Sequence, residues 1–329
     1  MNSADMKLHT EGNRIKNEAG ETILLRGVNC AGLEWDAANA AVLPAVRRAI
    51  GDWHANVIRL PVSQDRWFGF SPEQKAGRAT AESYREIVDA IVRETAERGA
   101  WLLLDLHWSD CGVWREKSGQ QKMPDTNSLV FWQHAAARYR ACGNVLFGLY
   151  NEPHRVGWDV WLDGGPVESN GETWEAVGMR PLLSAIRAAG AENLCVVGGL
   201  DWGYTFEGFT AYDALLAAGG SVVLDTHVYP WKRLDWDADV AEAAAHCPIL
   251  VGECGHYGDD ANPVEGRQNL PAAEWVPRLL TWIEKNGYHL TAWDFHPKAG
   301  PCLISDFDGT PTPYYGAAVR EFLLAQSGK

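Results

Sequence analysis

Two glutamates, Glu152 and Glu253, each close a short apolar run, Val145–Tyr150 before the first and Ile249–Val251 before the second. A carboxylate at the end of a buried run is costly unless something pairs with it, so both are candidates for chemistry. Two carboxyl groups facing one bond, one protonated and one ionised, are what cleavage of a glycosidic bond requires. Other run ends supply groups that divide the labour. Arg59 and Tyr229 could keep Glu253 ionised through charge and hydrogen bonding, which leaves Glu152 to be held neutral as an acid. Asn29, His107, Asn151, His227 and Trp293 close or adjoin further runs. In a regular strand Asn151 and Glu152 point to opposite sides, so one site can hold both only if a twist or bulge intervenes. On spacing alone, two glutamates in salt bridges at loop starts remain the alternative.

The elements that must position these groups are legible as eight apolar runs: Ile23–Asn29, Asn56–Val62, Trp101–His107, Val145–Glu152, Leu194–Gly199, Ser221–Val228, Pro248–Glu253 and Leu290–Asp294. They do not alternate apolar with polar residues, which predicts strands buried on both faces, as in a parallel sheet. Helical patterns separate them: Ala41–His54, Glu82–Arg98, Ser128–Cys142, Trp174–Ala189, a short one at Tyr212–Ala218, Asp237–His246, Glu274–Asn286 and Pro313–Ala325. Thr312-Pro313 reads as a cap followed by proline at the first helical position. Eight β/α units favour a closed (β/α)8 TIM barrel over an open doubly wound sheet, and no G-x-G-x-x-G follows the first strand. Residues Lys7–Arg26, with a turn at Glu18–Glu21, predict a short N-terminal β-hairpin closing the barrel's lower end. Gly157–Gly178 reads as a long loop on the active face, and Trp108–Met123, with Asp110, Trp114, Arg115, Glu116 and Lys117, as a second wall of the cleft. No linker or repeat divides the chain, so residues 1–329 are expected to form one domain.

Composition narrows the ligand. The net charge is −14, without the clustered cations that nucleic acid needs, and no apolar run reaches the roughly 18 residues of a membrane span. Sixteen tryptophans, about one residue in twenty, offer flat apolar faces with one N–H donor each, a shape suited to sugar rings. Seven widely spaced cysteines contain no C-x-x-C pair and predict neither a disulfide framework nor a zinc site. Met1–Gly20 has no apolar stretch of the signal-peptide kind, which predicts a cytoplasmic protein, although a chain whose leader had been removed would read identically.

The ordered set Arg-Leu-Pro (59–61), Asp-Leu-His (105–107), Asn-Glu-Pro (151–153), His-x-Tyr (227–229), Gly-Glu (252–253) and Trp293 resembles glycoside hydrolase family 5 over nearly the whole chain. Gly27-Val28-Asn29 and Asp308-Gly309-Thr310 add to the likeness. The resemblance implies a retaining mechanism through a covalent glycosyl-enzyme, with Glu253 as nucleophile and Glu152 as acid and then base, about 5–5.5 Å apart. It also implies that Arg59 orients Glu253, Asn151 binds the sugar 2-hydroxyl, Tyr229 contacts the nucleophile, His107 and His227 line the reacting subsite, and Trp293 stacks beneath the sugar. Neither a metal nor an organic cofactor is implied.

Trp35, Trp108, Trp202 and Trp231 follow shortly after strand ends and could be further sugar platforms, or could equally pack against neighbouring loops. Trp53, Trp132, Trp174, Trp275 and Trp282 fall in helical patterns and read as packing. Asp306–Gly309 reads as an ordinary turn rather than a calcium loop, and Cys254 as a packed thiol. The expected activity is endo-β-1,4-glucanase on a β-linked polysaccharide or oligosaccharide. The family also holds β-mannanases and exo-β-1,3-glucanases, and a non-catalytic carbohydrate-binding barrel is the alternative from another class.

Overall fold

The computed structural model describes residues 6–114, 117–169, 171–258 and 270–326, so Arg115 and Glu116 of the expected cleft wall lie outside the described residues. Twelve strands are present among the described residues: β1 (Leu8–Glu11), β2 (Arg14–Asn17), β3 (Arg26–Asn29), β4 (Val57–Ser63), β5 (Trp101–Trp108), β6 (Val145–Gly148), β7 (Gly164–Ser169), β8 (Glu172–Val177), β9 (Cys195–Gly198), β10 (Val222–Val228), β11 (Ile249–Cys254) and β12 (His289–Ala292). Eight of them close into a parallel barrel in the order β3-β4-β5-β6-β9-β10-β11-β12. This is the expected (β/α)8 architecture. Every residue of β4, β10 and β11 is buried, as the unbroken apolar runs required.

The helices form because each presents one apolar stripe to the barrel. In Val42–Trp53 the buried residues are Val42, Val46, Ala49 and Trp53, a spacing of three and four. Helix Ala81–Glu97 is capped by the Thr80 side chain, which accepts from the Ser83 amide, and Thr126–Tyr139 by Asp125, which accepts from the amides of Asn127 and Ser128. Among the described residues no helix is long and apolar enough to cross a membrane. The N-terminal hairpin is β1–β2, antiparallel, and its Leu8 and Ile15 join Leu25, Val57, Leu103, Leu146, Val223 and Leu250 in a compact apolar plug. Its tight turn falls at Gly12-Asn13 and not at the expected Glu18–Glu21, which leads back out of the hairpin, with the Glu21 amide donating to Asn17 Oδ1.

Three expectations need correction. Gly157–Gly178 is not a structureless loop: it holds a short helix, Trp158–Asp163, and the hairpin β7–β8. Trp174 therefore lies in a strand, and the following helix starts at Met179. The readable signal was the Asn170-Gly171 dipeptide, a strong marker of a two-residue hairpin turn. The last helix begins at Gly316, whose amide donates to Thr312 Oγ1, so Pro313 is not its first residue. The turn before it seats Tyr315, whose hydroxyl donates to the Cys254 carbonyl at 2.5 Å.

Candidate active site

The polar groups converge at the C-terminal ends of the barrel strands, for reasons of strand periodicity. Asp105 and His107 on β5, and Asp225 and His227 on β10, stand two residues apart, so each pair shares the inward face. Register does the rest. Asn29 on β3 lies opposite Arg59 on β4, and a register shift after Thr226 sets His227 opposite Glu253 on β11. Gly252 is required beside it, because a Cβ there would lie 2.2 Å from Asp225 Oδ1, the atom that accepts from the Gly252 amide at 2.7 Å. The twist required at Asn151-Glu152 is present. Strand β6 ends at Gly148, and Glu152 adopts φ +53°, a left-handed conformation that turns its carboxyl into the site beside Asn151.

Arg59 is the hub. Its Nη1 donates to Glu253 Oε1 at 2.7 Å and to Asn29 Oδ1 at 2.8 Å, and its Nη2 donates to Asn151 Oδ1 at 2.8 Å and lies 3.1 Å from Asp105 Oδ2. Tyr229 Oη donates to the other oxygen of Glu253 at 2.8 Å. Burial disfavours the guanidinium, but Asp105, Glu253 and Asp225 outweigh it and hold Arg59 firmly charged. Arg59→Met leaves Glu253 and Asp105 buried without their cation, and loss of one partner of a buried pair costs about 3–5 kcal/mol. Urea denaturation should show that loss, and an unchanged midpoint would contradict the hub assignment.

Glu152 faces this group from the opposite side. His227 Nδ1 lies 3.0 Å from Glu152 Oε1 and 3.6 Å from Glu253 Oε2, and Gln120 Nε2 donates to Glu152 Oε2. Burial lowers the pKa of His227, but the charges of Glu253 and Asp225 and hydrogen bonds to Asp225 and Glu152 win, pushing it up to about 10. The reverse holds for Glu152. Burial raises its pKa, yet the charged His227 and the Gln120 amide hold it below the ordinary carboxylate value. These contacts run against the expected neutral Glu152 and favour its ionised form. The same contacts favour the proton on His227, one hydrogen bond away, because an imidazolium among three carboxylates is better stabilised than a neutral ring beside a protonated acid.

His107 stands one step back, with Nδ1 2.7 Å from Asp105 Oδ2 and Nε2 3.3 Å from Asn151 Nδ2. Burial works against its charged form, but Asp105 raises its pKa. Trp293 stacks against His107 with ring centroids 5.6 Å apart. The other tryptophans divide. Trp202 and Trp231 line a cavity of about 260 Å³ with Glu152, Tyr229 and Lys232. Trp202 is stacked on His154 at 4.5 Å, and Trp231 on Tyr229 at 4.5 Å. Trp35 and Trp108 are not among the described residues of that cavity. Both touch Arg66, which donates to the Trp35 carbonyl and lies over the Trp108 ring.

Sequence reasoning did not assign roles to Asp105, Asp225 or Gln120. The first two carried a signal: each is an acid inside an apolar strand, two residues before a histidine. Gln120 carried none, because its place depends on how the loop after β5 folds. Glu152, His227 and Glu253 are the one group of metal-type donors among the described residues, with one ligand atom from each within 4.8 Å of the others. Hydrogen bonds engage the oxygens of both carboxyl groups and both ring nitrogens of His227. Cys254 is a packed thiol, pushed up to about 12 by burial, and Asp306 is a turn residue accepting from the amides of Asp308 and Thr310.

The family model described as "Cellulase (glycosyl hydrolase family 5)" matches residues 16–299. An endoglucanase of Paenibacillus polymyxa is 26% identical over 336 residues, covering 89% of this chain and 80% of the relative. Among solved structures, the β-glucanase SdGluc5_26A of Saccharophagus degradans, crystallised with cellotetraose, superposes with a TM-score of 0.76 at 20% identity, covering 97% of this chain and 93% of that one. The catalytic domain of endoglucanase Cel5A of Thermobifida fusca gives a TM-score of 0.66 at 18% identity, covering 97% of each chain. With the strand-end constellation in place and the family model spanning most of the barrel, this chain belongs to glycosyl hydrolase family 5, and it is a glycoside hydrolase.

Proposed function

We propose that this protein is a retaining endo-β-1,4-glucanase in which Glu253 is the nucleophile and Glu152 the general acid and then base. The observation that carries the reading is the close approach of the two carboxyl groups. Both Glu253 oxygens are held by donors, Arg59 and Tyr229, and an oxygen of Glu152 lies within 4.8 Å of one of them. That separation suits direct attack rather than the roughly 6.5–9.5 Å gap that accommodates a water in inverting enzymes.

In the first step a Glu253 oxygen bonds to the anomeric carbon as the glycosidic C–O bond breaks, and the leaving oxygen takes a proton from Glu152. In the second step water attacks the anomeric carbon, Glu152 accepts its proton, and the Glu253 carboxylate departs. Asn151, oriented by Arg59, supplies an amide for the sugar 2-hydroxyl, and the Trp293 face is the platform beneath that sugar. The proton for the first step is held jointly by the His227–Glu152 pair, whose Nδ1 and Oε1 lie 3.0 Å apart. The β-1,4-glucan assignment is supported by the relatives named endoglucanase and by a neighbour crystallised with cellotetraose.

The His227–Glu152 pair keeps its one proton until His227 loses it, so the alkaline limb of kcat/KM lies above the ordinary carboxylic range. In His227→Gln only Glu152 can hold the proton, and the limb moves to lower pH. A limb at the same pH in both proteins would remove His227 from the proton path.

Product release from carboxymethylated and mixed-linkage β-glucan, glucomannan, mannan, xyloglucan and laminarin tests the substrate. Rapid viscosity loss on the β-1,4-glucans supports the reading. Turnover of mannan or laminarin alone would replace the substrate and keep the mechanism, and binding without turnover would favour a carbohydrate-binding barrel.

A further inference from the structure

Glu152 has two oxygens and a donor on each. To protonate a glycosidic oxygen, one of them must come free. His227 is almost fully buried and fixed between Asp225 and Glu152, so Oε1 is not the one released. Gln120 is exposed, and its backbone is clamped on both sides. Before it, Gly119 and Ser109 exchange two backbone hydrogen bonds of 3.0 Å. After it, the Gln121 carbonyl accepts from the buried Tyr150 hydroxyl at 2.7 Å. The same stretch is braced from behind, where the His154 amide donates to the Lys122 carbonyl at 3.0 Å, and the Val177 amide at the end of hairpin β7–β8 donates to the Pro124 carbonyl at 2.9 Å. A fixed backbone thus carries a movable amide at the mouth of the site, on the carboxyl that must act on the leaving group.

We propose that Gln120 is a positioning residue that donates to Glu152 Oε2 and, as substrate binds, transfers its amide to a hydroxyl of the leaving-group sugar, freeing that oxygen to carry the proton. The inference rests on the role assigned to Glu152 above. It makes Gln120 a determinant of the leaving-group side: a departing sugar offers hydroxyls to the displaced amide, whereas an aryl group without them leaves it unpartnered. The direction of the Glu152 titration follows from the same contact. A donor to the ionised form lowers a carboxyl pKa, so removing it raises the pKa.

The test is Gln120→Leu, an exposed substitution of similar size, compared with wild type in two measurements. In kinetics with cellotetraose and with 4-nitrophenyl β-cellobioside, the loss in kcat/KM should be about tenfold greater for the oligosaccharide, the worth of one hydrogen bond. In NMR titration of the free enzyme labelled at glutamate side-chain carbons, the Glu152 resonance should titrate at higher pH in the variant. Equal losses on both substrates, or a Glu152 titration that does not move, would overturn the proposal. Wild-type inactivity on both substrates would instead defeat the functional reading, and the titration, which needs no turnover, would still decide whether Gln120 holds Glu152.

Discussion

Glu253→Gln is expected to lower turnover of soluble β-1,4-glucan by on the order of 10³-fold or more, several kcal/mol of transition-state stabilisation. The amide is nearly isosteric, and its oxygen can still accept from Arg59, which also retains Asp105. Its nitrogen can donate to the Tyr229 hydroxyl oxygen in place of accepting from it. The fold therefore has little reason to fail, and an unchanged thermal midpoint is the control. What is lost is the anionic oxygen that forms the bond to the anomeric carbon. A near wild-type rate in the folded variant would end the assignment of Glu253.

Glu152→Ala should show a different signature, because an acid matters in proportion to how badly the leaving group needs a proton. Oligosaccharides, whose leaving alkoxide is strongly basic, should lose about 10²–10⁴-fold in the first step. A dinitrophenyl cellobioside should form the glycosyl-enzyme far more nearly normally and then stall, since no base remains to activate water. Azide, already anionic, needs no such base. Adding it should restore turnover of the activated substrate and release a β-glycosyl azide. Equal losses across leaving groups, with no response to azide, would contradict the acid/base role.

Much of the barrel was legible because burial on both faces writes itself as unbroken apolar runs, and β4, β10 and β11 follow those runs closely. Ends were less legible where chemistry intervenes. The run through Val145–Glu152 continues apolar to Tyr150, yet the strand stops at Gly148 so that Asn151 and Glu152 can both turn inward. The paired glutamates, Arg59 and Tyr229 stood out because an ionisable or polar group at a run end is expensive to ignore. Their charge states did not. Whether Glu152 is neutral depends on His227, Asp225 and Glu253 meeting across β6, β10 and β11, a sum of distances absent from any linear spacing. Hairpin β7–β8 was missed because the helical pattern assigned from Trp174 onward overran its second strand. Gln120 was missed because an exposed glutamine in a long loop has no local signature.

The central claim, a covalent glycosyl-enzyme on Glu253, is tested most directly by trapping it. A 2,4-dinitrophenyl 2-deoxy-2-fluoro-β-cellobioside carries a fluorine that slows both steps by opposing the oxocarbenium-like transition state, and a leaving group good enough to let the first proceed. Digestion and mass spectrometry of the inactivated protein should find a single fluorocellobiosyl group on the peptide containing Glu253. A label on Glu152, or an enzyme that resists labelling while its natural product first appears as the α-anomer, would contradict the mechanism.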